Sequence, residues 1–184
     1  MYVHGYGSDG NATKGQLLRR MLPESRVLSP TFDYDRLTPW QIQDQIRAMV
    51  ENEGVEMLVG SSFGGYHSLC ATKFFHGTVW AVNPVHDIAA TLRSAILSRV
   101  RDEVEGKIFF DMYIDFDRQV FQSQSELNRE GRWPSDTVLN FALSTDDELL
   151  GDHTQLLDLF PLHGRVEWKE HSGHHFLRFS ELEL

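Results

Sequence analysis

The sequence predicts an α/β fold: a three-layer α/β/α sandwich around a mostly parallel sheet of about six strands, built as one domain over residues 1–184 with a short helical insertion. Three observations predict it. Short β-branched or apolar runs alternate with longer stretches of helical periodicity, which is the rhythm of βαβ units. Several of the runs are apolar at nearly every position, as strands covered on both faces must be. The chain has 184 residues, 41% of them hydrophobic, enough for one substantial core.

The elements follow in order. Tyr2-Val3-His4 is the first strand, and a helical pattern runs from about Thr13 to Leu22. Arg26-Val27-Leu28-Ser29 reads as the second strand. Thr38-Pro39 caps and opens a helix with Trp40, Ile42, Ile46, Met49 and Val50 on one stripe, ending before Gly54. The run Glu56 to Gly60 is a strand leading straight into a glycine turn and a helix with Leu69, Cys70 and Phe74. Thr78 to Val82 is the next strand. Residues 85–134 break the rhythm with an amphipathic stretch from Ile88 to Val100, with Leu92, Ile96 and Val100 on one side, and an aromatic run from Phe109 to Ile114. They read either as a crossover with extra helices or as a small lid over the site. Val138 to Leu143 and Val166-Glu167-Trp168 complete the strands, with a helix after Asp147 between them.

Composition narrows the function. The formal net charge of -10 repels nucleic-acid phosphates and anionic membrane surfaces. No apolar stretch approaches the roughly 20 residues of a membrane span. Met1-Tyr2-Val3-His4-Gly5 lacks the basic flank and apolar run of a secretory signal, and Cys70 is the single cysteine, so the expectation is a cytoplasmic protein without an internal disulfide.

The segment Val59-Gly60-Ser61-Ser62-Phe63-Gly64-Gly65 carries the chemistry. It matches G-x-S-x-G with Ser62 at its centre, directly after an apolar strand and at the opening of a helix. So sharp a turn forces the serine into strained backbone angles. Gly60 and Gly64 remove side chains that would collide across it. The hydroxyl is then exposed at a helix N-terminus, where amides and the dipole favour developing negative charge. The plainer reading is a glycine-rich turn with a serine cap. Ser61 stands one place early and should face away.

An acyl-transfer site also needs two donors for an oxyanion. The backbone N–H of Phe63 is one. The turn His4-Gly5-Tyr6-Gly7 suits the second, with Gly5 allowing close approach and the Tyr6 N–H donating. Gly5, Gly7 and Gly10 also match G-x-G-x-x-G, with Asp33 about 20 residues further on, so dinucleotide binding is an alternative. Against it, Asn11-Ala12-Thr13-Lys14-Gly15 delays the helix that a pyrophosphate needs.

In this chemistry the triad runs Ser, then Asp or Glu, then His. Glu170-His171-Ser172-Gly173-His174-His175-Phe176 supplies the histidine, and a Gly-His pair just after a strand favours His174 as general base, with His175 the runner-up. The three histidines do not have a zinc-motif spacing and no cysteine is near, so no metal is expected. The acid follows the preceding strand, in Ser144-Thr145-Asp146-Asp147-Glu148. Thr145 and Glu148 have capping-box spacing, which leaves Asp146 and Asp147. Asp111, Asp115 and Asp117 read as a solvated face, and Asp87 after His86 as a helix start.

With these residues assembled, the chain resembles the YqiA-like family of small bacterial esterases, compact α/β-hydrolases. The likeness covers the opening Tyr2 to Tyr6, the turn Gly60 to Tyr66, Asn83-Pro84, Asp147-Glu148-Leu149-Leu150 and Gly173 to Phe176. In that family the acid stands immediately before a Glu and two apolar residues, which places it at Asp147; the histidine before a small residue and Phe maps onto His174. Asp146 stands where the family usually has Gly. The resemblance implies carboxylester hydrolysis through an acyl-Ser62 intermediate, without a cofactor, on a small-molecule ester. The alternatives are an acyl-thioesterase and a catalytically silent hydrolase fold used for binding.

Overall fold

The computed structural model describes residues 1–93, 103–134 and 136–184. Among the described residues five strands, β1 (Tyr2–Val3), β2 (Met57–Ser61), β3 (Thr78–Val82), β4 (Val138–Ser144) and β5 (Val166–Lys169), form one sheet in the order β1-β2-β3-β4-β5. Every neighbouring pair is parallel.

Side chains of successive strand residues point to opposite faces, and both faces are buried. Leu58, Val79, Ala81, Phe141 and Leu143 pack on one side, under helices α2 (Pro39–Glu53), α3 (Phe63–Ala71) and α5 (Glu103–Phe116). Val59, Trp80, Val82 and Ala142 pack on the other with Leu18 of α1 (Thr13–Met21) and with Phe176, Phe179 and Leu182 near the C-terminus. This two-sided burial is why the runs read as apolar at almost every position.

α2 begins and ends where its chemistry dictates. The Thr38 hydroxyl accepts from the Gln41 amide while the Gln41 side chain accepts from the Thr38 amide, Pro39 occupies the first turn, and Gly54 closes the helix at φ 61°. Ile42 and Ile46 are fully buried beneath it.

Three expectations shift. Arg26–Ser29 lies beside β1, but only its Leu28 carbonyl accepts a bond from that strand, from the Tyr2 amide at 2.7 Å. The Ser29 hydroxyl is turned to the Gly10 carbonyl at 2.6 Å and Pro30 has no N–H, so the ladder does not propagate. The helix predicted after Asp147 begins only at Thr154, as α7 (Thr154–Leu159). The insertion holds α4 (Ile88–Thr91), α5, a π turn over Asp117–Phe121 and α6 (Gln122–Arg129), while Ile96 and Val100 lie outside the described residues. Tyr113, Phe116 and Phe121 of this insertion are fully buried against Tyr66, Trp40 and Phe63. Asp111 and Asp115 are exposed as expected, but Asp117 is half-buried and accepts from the Tyr66 hydroxyl at 3.1 Å. Among the described residues no helix is long and apolar enough to cross a membrane.

Candidate active site

Ser62 sits between β2 and α3 with φ 55° and ψ -118°, a conformation that costs a non-glycine residue about 1–3 kcal/mol. The surrounding glycines explain how the turn survives. A Cβ on Gly60 would lie 2.3 Å from the Gly64 carbonyl oxygen, and one on Gly64 would lie 2.1 Å from the Val3 carbonyl oxygen. Strand, turn and helix therefore approach to backbone contact. Ser61 is buried and engages the Tyr2 hydroxyl, although it too borders the cleft onto which Ser62 opens.

Gly5 lies against this turn. A Cβ there would be 3.3 Å from Ser62 Cβ and 3.8 Å from Ser62 Oγ. His4, which sequence reasoning did not single out, orients the loop. Its Nε2 accepts from the Phe32 amide at 2.8 Å, so the proton belongs on Nδ1, which donates to the Gly5 carbonyl at 2.8 Å. In a trans peptide the N–H points opposite the C=O. Fixing the Gly5 carbonyl thus fixes the direction of the Tyr6 N–H. Phe63 is the first residue of α3, and first-turn amides have no carbonyl partner within their helix.

The sequence-selected side chains converge. Ser62 Oγ is 2.9 Å from His174 Nε2, and His174 Nδ1 is 3.0 Å from both Oδ1 and Oδ2 of Asp147. Asp147 is 5% exposed and His174 8%, so the relay lies at the edge of solvent. Burial alone would raise the Asp147 carboxyl; hydrogen bonds from His153, His174 and the Leu150 amide outweigh it and hold the group well below the usual carboxylate range.

The neighbouring acids have other work, which settles why no capping box forms at Thr145. Glu148 Oε2 accepts from the His174 amide at 2.8 Å. Asp146 Oδ1 accepts from the Ser144 hydroxyl at 2.5 Å and from the amides of Ser172 and Gly173, each at 3.0 Å; these bonds lower its pKa to about 2. Asn83, in a left-handed conformation at φ 40°, donates to the carbonyls of Gly173 and His174 and accepts from the Ser144 amide. Three acids and one amide thus hold the histidine loop. The signal for Asn83 in the sequence was its place at the end of β3, beside Pro84.

The remaining histidines separate. His171 and His175 are exposed, whereas His153 is fully buried and its Nε2 lies 3.0 Å from Asp147 Oδ2. His86 packs beside His153 with ring centroids 5.5 Å apart, and Asp87 caps α4 through the Ala90 amide. Among the described residues no three His, Cys, Asp or Glu side chains gather to hold a metal.

Gly5, Tyr6, Ser62, Phe63 and His174 open onto a cleft of about 590 Å³. Within the glycine pattern, Gly5 and Gly10 serve this chain's own packing, and Gly7 turns the loop at φ 71°. A Cβ on Gly10 would lie 2.0 Å from the Ser29 carbonyl oxygen, and α1 starts only at Thr13. Asp33 is 49% exposed and pairs with Arg36.

The model of an uncharacterised protein family, UPF0227, matches residues 1–182. Among solved structures, the monoacylglycerol lipase of Paleococcus ferrophilus superposes with a TM-score of 0.65 at 13% identity, over 94% of this chain and 84% of that one. A thermophilic esterase from Thermogutta terrifontis gives 0.63 at 16% identity, over 98% and 83%. Mouse alpha/beta hydrolase domain-containing protein 10 gives 0.56 at 15% identity, over 95% and 80%. At such identities the likeness establishes the fold, which is that of the α/β-hydrolases. No curated protein sequence matches the chain.

Proposed function

On the premise that this chain belongs to the UPF0227 family, the YqiA-like family its sequence resembles, we propose that it is a serine esterase hydrolysing small acyl esters. The observation that carries the reading is the unbroken relay from Ser62 Oγ through His174 to Asp147, with a serine held in a strained turn at a helix N-terminus.

His174 Nε2 takes the Ser62 proton as Oγ bonds to the ester carbonyl carbon. The Tyr6 and Phe63 amides hold the resulting oxyanion. Collapse breaks the bond to the alcohol oxygen, which leaves with the proton from His174, and Ser62 remains acylated. Water then attacks the acyl-serine carbonyl while His174 takes its proton. The second collapse returns that proton to Ser62 and releases the carboxylic acid. Asp147 keeps the imidazole in the tautomer with its proton on Nδ1 and stabilises the imidazolium.

A fluorophosphonate probe followed by peptide mapping tests this directly. Labelling at Ser62 is expected, and Ser62→Ala should lower kcat/KM for p-nitrophenyl butyrate by about 10⁴-fold or more, since triad members act as a unit. An unlabelled serine would mean a silent fold; near-normal turnover by the variant would remove Ser62 from the reaction.

A further inference from the structure

The cleft has a charge pattern unlike the rest of the chain. The protein carries 27 Asp and Glu against 17 Lys and Arg. Among the described residues no carboxylate lines the cleft, whereas one ammonium, that of Lys14, does so along with Ser8 and Thr13. Lys14 follows the first residue of α1 and shares this single cavity with Ser62 and His174. Its side chain is half-buried and, among the described residues, has no carboxylate within ion-pair distance. Apolar side chains also line the cleft. Leu149 and Leu177 line it while remaining 56% and 77% exposed.

Partly burying an ammonium without a counter-ion is unfavourable, and proteins usually pair such a group. Lys14 shows the penalty: burial lowers its pKa to about 8. A lysine stem is long enough to carry its charge out to solvent along an apolar surface. The carboxylates nearest the cleft, Asp147 and Glu148, are engaged by His174, so a wall that holds an ammonium without an ion-pair partner has a place prepared for an anion.

We infer that Lys14 receives an oxyanion on the substrate, so that the ester cleaved here carries a negative charge on its acyl or its alcohol part. This rests on the esterase reading and names its substrate class. The charged group pairs with the Lys14 ammonium while the ester carbonyl lies at Ser62, and an apolar portion can rest on Leu149 and Leu177. Lys14 is a specificity residue, since the bonds made and broken all lie at Ser62 and His174.

The test compares matched ester pairs. On the acyl side, p-nitrophenyl monoesters of succinate, glutarate and adipate are set against valerate, hexanoate and heptanoate. On the alcohol side, 4-carboxyphenyl butyrate is set against phenyl butyrate. The quantity read is the charged-to-neutral ratio of kcat/KM, compared between the native protein and Lys14→Met, which cancels the probes' intrinsic reactivities. The ratio should fall about tenfold in Lys14→Met for at least one pair, the worth of one partly buried charge contact, and Lys14→Arg should keep it. An unchanged ratio in every pair, or an equal fall in Lys14→Arg, overturns the inference. Thermal melting of both variants separates a folding defect from a specificity change. If the native protein turns over the neutral esters yet shows no charge effect, only this inference fails. If it turns over none of the esters, the esterase reading fails and this inference with it.

Discussion

Asp147 accepts from two imidazoles, and the second of them, that of His153, lies outside the proposed triad. Its carboxylate accepts hydrogen bonds from Nδ1 of His174, from Nε2 of His153 and from the amides of Leu149 and Leu150. A His153 that donates through Nε2 leaves Nδ1 as a bare lone pair, and Nδ1 is indeed buried without a hydrogen-bond partner. This is the less costly nitrogen to strand, because the charged acceptor is satisfied instead. His153 therefore fixes the carboxylate that fixes His174. His153→Leu should lower kcat on p-nitrophenyl butyrate about tenfold with little change in KM, the worth of one hydrogen bond to a charged group. His153→Gln, whose amide can still donate, should recover most of the loss. Equal losses in both variants would reduce His153 to a packing residue.

At the scale of elements, the serine turn is a backbone junction between β1, β2 and α3. Gly64 is its tightest point, with its Cα facing the carbonyl oxygens of Val3 and His4. A methyl group there has no flexible neighbour to displace, because both obstacles are backbone. Gly64→Ala should cost at least about 2 kcal/mol in urea denaturation. Gly54, which ends α2 at φ 61° with open space around it, provides the contrast. Gly54→Ala should cost only the left-handed strain of about 1 kcal/mol. Comparable losses at the two sites would mean that crowding does not hold the junction together.

At the scale of the whole molecule, stability and acidity are linked through the core. His67 of α3 is completely buried between Gln43 Nε2, 3.1 Å from its Nδ1, and the Tyr113 hydroxyl. Burial lowers its pKa from 6.5 to about 3. The native state therefore refuses a proton that the unfolded chain accepts near pH 6.5. Stability is then fully present above pH 6.5 and falls as pH drops toward 3, by up to about 1.4 kcal/mol per pH unit for this one group. Urea midpoints at pH 7, 6 and 5 should show the fall, and His67→Met should flatten it whatever its effect at pH 7. A slope unchanged in the variant would assign the acid sensitivity elsewhere. The same packing explains what could be read from the chain alone. Local chemistry sufficed for the strands β2 to β4, because two-sided burial makes them apolar at nearly every position, for α2, because its cap and its stop are each written in neighbouring residues, and for the serine turn, because its glycines lie within six residues. Ser62 and His174 could be chosen from motif and order, and Asp147 from the family resemblance. The distances of 2.9 and 3.0 Å among them, the duties of Asp146, Glu148, Asn83 and His153, and the loss of a strand at Arg26–Ser29 were decided only when remote segments met. Each depends on which donor faces which acceptor across the fold, and sequence periodicity records burial but not partners.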